Sequence, residues 1–217
     1  MPAPGVALFI ALGAIMNPMS SPTADPAPRR RGRPADVDPE RVALLALRHF
    51  DEHGYEATTM DDIAGLAGIG RRTLFRYFPS KPALVWGGME PVVERMNAVL
   101  ETAPDDEPVR DVLARAITAS LDLAPDSLEA TRRRLRLLGS DPALIAFGLA
   151  RLSADHGMVA AFLARRLGEP VDGLRVHVLA DALGSANFSA LIWWACNDEG
   201  DPAAIAVAAL DELLRGF

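Results

Sequence analysis

Arg71, Arg72, Thr73 and Arg76 fall within six residues, with Tyr77 and Lys81 just beyond them. Guanidinium forks bind guanine edges and phosphates bidentately, and a small hydroxyl can reach either, so this cluster is suited to reading duplex DNA. The segment that carries it, residues 58–81, runs TTMDDIAGLAGIGRRTLFRYFPSK. Thr59 followed by Asp62 fits a capping box, in which the hydroxyl accepts an orphan N–H and the carboxylate reaches back. Ile63 and Leu66 give a short apolar stripe, and Gly68 supplies the residue that takes positive φ at a turn. On a second helix of about 3.6 residues per turn, Leu74 and Phe78 share the core edge, while Arg72, Thr73 and Arg76 form an outward arc. The arginines alone would equally suit a solvated helix face. Cap, turn and flanking order together point to a helix-turn-helix whose second helix enters the major groove.

These residues also resemble, over about residues 40–86, the N-terminal signature of the TetR family of one-component transcriptional regulators. Phe50 and Gly54-Tyr55, then Ile63-Ala64 and Ala67-Gly68, then Thr73-Leu74, Tyr77-Phe78 and Ser80-Lys81 carry the match. The resemblance implies that Arg71, Arg72, Thr73 and Arg76 approach bases or nearby phosphates, and that Thr59, Tyr77 and Lys81 hold the DNA backbone. Three positions depart from the family pattern. Gly70 stands where a capping serine or threonine is common, which weakens the cap of the recognition helix. Arg72 replaces a frequent small residue and adds reach. Phe75 stands where tyrosine is usual, so one phosphate-bonding hydroxyl is missing. The strings GIGRRTLFRYFPSK, VWG and PDDEPVRDVLA further resemble actinobacterial regulators found beside mycofactocin biosynthesis genes. One lysine against twenty-one arginines suits a GC-rich genome.

The net charge of −7 looks wrong for a DNA binder until it is divided. Residues 29–82 hold ten Lys/Arg against eight Asp/Glu, and residues 83–217 hold twelve against twenty. Basic charge is thus gathered at the DNA-binding end, and the acidic body discourages non-specific adhesion. Cys196 is the one cysteine, so neither an internal disulfide nor a thiolate zinc cluster can form. His49, His53, His156 and His177 do not sit at ligand spacing, and no P-loop, G-x-G-x-x-G, G-x-S-x-G or H-E-x-x-H occurs. The expectation is a cytoplasmic protein without catalytic residues, metal or cofactor.

In the first 28 residues, Val6 to Met16 is an apolar run too short to span a bilayer and lacks the basic flank of a secretory signal. The expectation is a start codon placed too early, with Met16 and Met19 as candidate true starts and a membrane anchor as the competing reading. Arg29, Arg30, Arg31 and Arg33 then form a basic arm that either reaches the minor groove or serves as a solubilising tail.

The chain divides into an N-terminal extension (1–35), a three-helix helix-turn-helix domain (36–82) and an effector-binding and dimerisation domain (83–217). Apolar periodicity and breakers predict helices over 39–53, 82–101, 108–123, 127–138, 142–167, 174–196 and 202–215 besides the two above, with no strand signal. The fold class is therefore all-α, ending in an antiparallel helical bundle. Small residues at Ala180, Ala182, Gly184, Ala186 and Ala190 permit close helix approach, either within one chain or, as the resemblance implies, across a homodimer. Candidates to line an effector pocket are Met89, Met96, Leu100, Leu121, Phe147, Leu152, Phe162, Asn187, Trp193 and Trp194, with ordinary core as the competing role of each. Arg132, Arg133, Arg134 and Arg136 form a basic run, either a solvated face or a seat for a phosphate-bearing effector. The resulting expectation is a homodimeric, ligand-responsive regulator acting chiefly as a repressor. It would bind a palindromic operator in double-stranded DNA and be released by an apolar or amphipathic small molecule such as an acyl-CoA. A constitutive architectural DNA binder and a helical-bundle enzyme are the competing classes.

Overall fold

The computed structural model describes residues 37–197 and 200–215, with the backbone alone for 149–156. The basic arm and the apolar run before it lie outside the described residues. Residues 36–217 form one compact unit. Ten helices and no strand occur among the described residues, as the all-α expectation required.

The N-terminal end is built from α1 (Pro39–His53), α2 (Met60–Leu66), α3 (Arg71–Tyr77) and α4 (Lys81–Val85). Asp38 caps α1 by accepting from the Glu40 and Arg41 amides at 3.0 and 3.3 Å, and Pro39 occupies the first turn, where no N–H is needed. Val42, Ala46, Leu47 and Phe50 of α1 bury against Ile63, Leu74, Phe78 and Leu84. Burying four such side chains contributes about 1.5–3 kcal/mol each, which holds three otherwise marginal short helices in place.

The body comprises α5 (Glu90–Thr102), α6 (Val109–Ser120), α7 (Pro125–Ser140), α8 (Pro142–Leu167), α9 (Leu174–Asn197) and α10 (Pro202–Arg215). Its main core joins Leu100, Val112, Ile117, Phe162, Val176 and Leu210 from five helices. Arg110 grips Asp211 through two 2.8 Å bonds, tying α6 to α10 and holding the Asp211 carboxyl below the usual carboxylate range.

One expected element is corrected. The single helix over 82–101 is two helices, α4 and α5, separated by Trp86-Gly87-Gly88-Met89. Gly88 takes φ +73°, a left-handed conformation that stops α4, and Pro91 in the first turn of α5 cannot sit inside a continuous helix. Gly87 is required sterically, since an added Cβ would stand 2.5 Å from the Phe78 ring. Ala83, Leu84, Val85 and Trp86 belong to the same core as α1–α3, together with Ala130 and Leu138 of α7 and Leu144 of α8. The four N-terminal helices and the bundle therefore share packing instead of meeting at a flexible linker.

Candidate functional site

The α2–α3 unit has the local chemistry the sequence predicts. Thr59 and Asp62 form the reciprocal box, with the Asp62 amide donating to Thr59 Oγ1 at 3.2 Å and the Thr59 amide donating to Asp62 Oδ2 at 2.8 Å. The Thr59 hydroxyl, donating to Asp62 Oδ2 at 2.7 Å, and then the Thr59 amide hold the Asp62 carboxyl below its ordinary range. Gly68 has φ +65° in the turn. Gly70 precedes α3 without any side-chain cap. Leu74 and Phe78 are buried, which fixes the rotation of α3 and turns Arg71, Arg72, Phe75, Arg76 and Tyr77 to solvent, with Thr73 half-buried.

The exposed groups are held to different degrees. Arg71 pairs with Asp61 at 2.6 Å and lies over the Phe75 ring at 5.3 Å. Arg76 stacks 4.8 Å over Tyr77 and donates to its hydroxyl at 3.1 Å, so the two form one stacked, hydrogen-bonded pair. Arg72 makes no side-chain hydrogen bond or ion pair among the described residues, leaving its whole fork available.

Lys81 differs from the rest. Its ammonium donates to the carbonyls of Tyr55 at 2.8 Å and Thr58 at 3.3 Å, and it sits 4.2 Å from the Tyr55 ring centroid. It thereby fastens the start of α4 to the loop between α1 and α2. Burial, reinforced by Glu56 and Asp141, pushes the Tyr55 phenol up to about 12.

Inside the bundle, residues of all six helices, α5 to α10, line a cavity of about 160 Å³. Its wall is mostly apolar, with Met89, Met96 and Leu100 on one side and Leu121, Leu138 and Leu183 among the others. Ser120, Thr131, Asn187 and Arg134 interrupt it, and the last two matter most. The Asn187 Oδ1 is buried and has no hydrogen-bond partner. Arg134, only 3% exposed, donates from Nε to the Val85 carbonyl at 2.7 Å and from Nη2 to the Gly87 carbonyl at 2.5 Å. Burial pushes its guanidinium down to about 10, opposed by the fields of Glu90 and Glu40.

Of the residues proposed for an effector pocket, Met89, Met96, Leu100, Leu121 and Asn187 are brought together in this wall. Phe147, 40% exposed on α8, is not part of it. Phe162 is fully buried in the main core beneath the Arg165 and Arg166 guanidiniums. Trp193 is 51% exposed on the outer face of α9. Trp194, one residue on, is buried, donates to the Gly200 carbonyl at 2.8 Å and carries Arg132 over its ring at 4.2 Å. The Leu152 side chain lies outside the described residues.

The run of four arginines on α7 is not one solvated face. Arg132 packs on Trp194, Arg133 reaches Asp51 and Glu129 at 3.3 and 3.2 Å, and Arg136 donates to the Ala195 carbonyl at 2.8 Å. Arg134 alone of the four is buried in the cavity wall. A signal for this existed: position 134 stands one turn from both Ala130 and Leu138, on the helix's buried stripe. The small residues of α9 also resolve: Gly184 and Ala186 line the cavity, while Leu174 (79% exposed), Val178, Asp181, Ser185, Ser189 and Trp193 make an outward stripe.

Among the described residues no helix is long and apolar enough to cross a membrane. The sequence profile described as bacterial regulatory proteins, TetR family, matches residues 45–85, and that described as the MftR C-terminal domain matches residues 107–217. The protein designated mycofactocin biosynthesis transcriptional regulator MftR, of Mycobacterium tuberculosis, is 28% identical over 192 residues, covering 88% of this chain and 97% of that protein. Among solved structures, the regulator FadR of Bacillus subtilis in complex with stearoyl-CoA superposes with TM-score 0.56 at 21% identity, over 82% of this chain and 98% of that one. The SmeT–triclosan complex superposes with TM-score 0.55 at 21% identity, over 82% and 90%. With both its helix-turn-helix and its entire C-terminal half matched, the chain belongs to the TetR family of transcriptional regulators and carries an MftR-type C-terminal domain.

Proposed function

We propose that the chain is a homodimeric, effector-released repressor that binds a palindromic operator in the cytoplasm. The observation that carries the reading is one chain holding an exposed arginine face on α3 and an enclosed apolar cavity in the bundle, with Arg134 in the cavity wall bonded to the end of α4. A recognition helix of seven residues covers few base pairs, so specificity against a genome calls for two copies on symmetric half-sites about one helical turn apart. The outward stripe of Leu174, Val178 and Trp193 on α9, with Leu213 and Leu214 on α10, offers the apolar surface for such pairing. Ser185 and Ser189 between them allow close approach.

For the effector, the apolar wall favours an apolar or amphipathic compound. Stearoyl-CoA and triclosan, bound by two structural neighbours, make acyl-CoAs and small aromatics reasonable probes. At about 160 Å³ the cavity is below the roughly 300–1,000 Å³ of typical ligand sites, so a long acyl chain has to spread the helices. Such spreading is what would reposition α4 and the reading head. The test is to select operator DNA from a genomic library, then titrate acyl-CoAs and aromatic compounds against the complex while following anisotropy and melting temperature. Release of the operator by a compound that also raises the melting temperature of free protein is expected. A protein that selects DNA but responds to no compound would instead be a constitutive binder.

A further inference from the structure

We propose that the cavity takes a compact anionic amphiphile whose carboxylate binds Arg134, and that this contact draws the guanidinium off the carbonyls ending α4. The inference rests on the effector reading above and adds the ligand's chemical class and the residue through which it acts.

Arg134 is a buried cation with no carboxylate at ion-pair distance among the described residues. A guanidinium offers five N–H donors, and only Nε and Nη2 are used, both on neutral carbonyls; Nη1 makes no hydrogen bond. Glu90 and Glu40 act on this charge only from beyond ion-pair distance, a costly state for a buried cation, and a carboxylate is the partner that fits its unused Nη1–Nη2 edge in a bidentate way. The position suits a ligand as well as the charge does. Arg134 stands in the wall between the apolar cavity and a smaller pocket of about 130 Å³ bounded by Glu40, Gly88 and Arg95. An acid lying in the cavity would therefore keep its hydrocarbon among Met96 and Leu138 and its head at the guanidinium. The orphaned Asn187 carbonyl gives a second polar point for an N–H or O–H of the ligand. An engineered cavity of about 150 Å³ holds benzene, so the present space suits an aryl or short-alkyl acid.

The coupling follows from what Arg134 now holds. Its two bonds end on Val85, the last residue of α4, and on Gly87, which packs edge-close to Phe78 under the recognition helix. A charge-assisted bond to carboxylate is stronger than one to a neutral carbonyl. A carboxylate held by Nη1 and Nη2 competes with the Gly87 carbonyl for Nη2, so capture of the guanidinium by an acid loosens the 85–88 linker, whose conformation sets the seat of Phe78 and α3.

Isothermal titration of the full-length protein with phenylacetate, hexanoate and their primary amides tests this, with hydrogen exchange of residues 84–90 followed in parallel. Each acid should bind roughly tenfold or more tightly than its amide. The preference should vanish in Arg134→Gln and survive in part in Arg134→Lys, and exchange in 84–90 should quicken with acid only. Equal binding of acid and amide, or a preference unchanged in Arg134→Gln, overturns the anion assignment and leaves effector control standing. Binding of other, uncharged compounds with release of operator, while all four probes fail, does the same. Failure of every compound to enter the cavity removes both readings. If Arg134→Gln does not fold, the wild-type acid-to-amide ratio and the exchange of 84–90 decide.

Discussion

The indole N–H of Trp86 donates to the Leu144 carbonyl at 2.8 Å, joining the end of α4 to the first turn of α8 across 58 residues of sequence. The same ring lies against Gly148 and stacks with Phe188 at 6.2 Å between centroids. This fastening, with the Arg134 bonds beside it, ties the end of α4 to α7, α8 and α9.

Gly148→Ala should disrupt that fastening, because an added methyl overlaps the Trp86 indole. Overpacking of this kind costs about 1–3 kcal/mol. At this chain length each kcal/mol lowers Tm by about 2–4 °C. A thermal melt followed by circular dichroism checks it; an unchanged Tm would show that the ring is free to move aside.

Arg72→Ala should lose about 1–3 kcal/mol on the selected operator and much less on random DNA, because its unengaged fork is available to a base edge. Anisotropy titrations on the two DNAs measure the difference. Equal losses on both would assign Arg72 to phosphate instead.

Lys81→Ala should act through the fold. The ammonium is spent on the Tyr55 and Thr58 carbonyls, so its loss leaves them under-satisfied at a cost of about 1–3 kcal/mol. A lower Tm with an unchanged salt slope of operator binding is expected. A slope smaller by about one unit would mean that Lys81 neutralises a phosphate after all.

Val178→Glu places a charge in the outward stripe of α9 and should convert dimer to monomer without unfolding the chain, since the position is more than half exposed. Light scattering at micromolar concentration, paired with a melt, reads both. A dimer that persists would move the interface elsewhere.

Met96→Trp should fill the cavity, blunting the response to effector while leaving operator affinity without effector intact. Allosteric coupling is typically about 1–3 kcal/mol, so the wild-type response to be lost is roughly 5- to 150-fold.

Much of this protein is determined by short-range sequence. Caps and breakers act over three or four residues, which is why Asp38-Pro39, the Thr59–Asp62 box, Gly68 and Pro202 mark their helix ends directly. The helix-turn-helix is legible for the same reason, since the spacing of Leu74 and Phe78 alone dictates which way the arginines face. The break at Gly87-Gly88 was written there too, in two glycines and Pro91, though the apolar pattern running through it suggests one helix. Tertiary structure decided the rest. Whether Trp193 or Trp194 goes inside depends on the rotation of α9, a helix apolar on nearly every side, and so on its neighbours. The Ala130–Leu138 stripe points Arg134 inward, but what satisfies it there is two carbonyls 47 and 49 residues away. Burial of a charge is settled by partners that only the folded chain brings within reach, and no local pattern along α7 contains them.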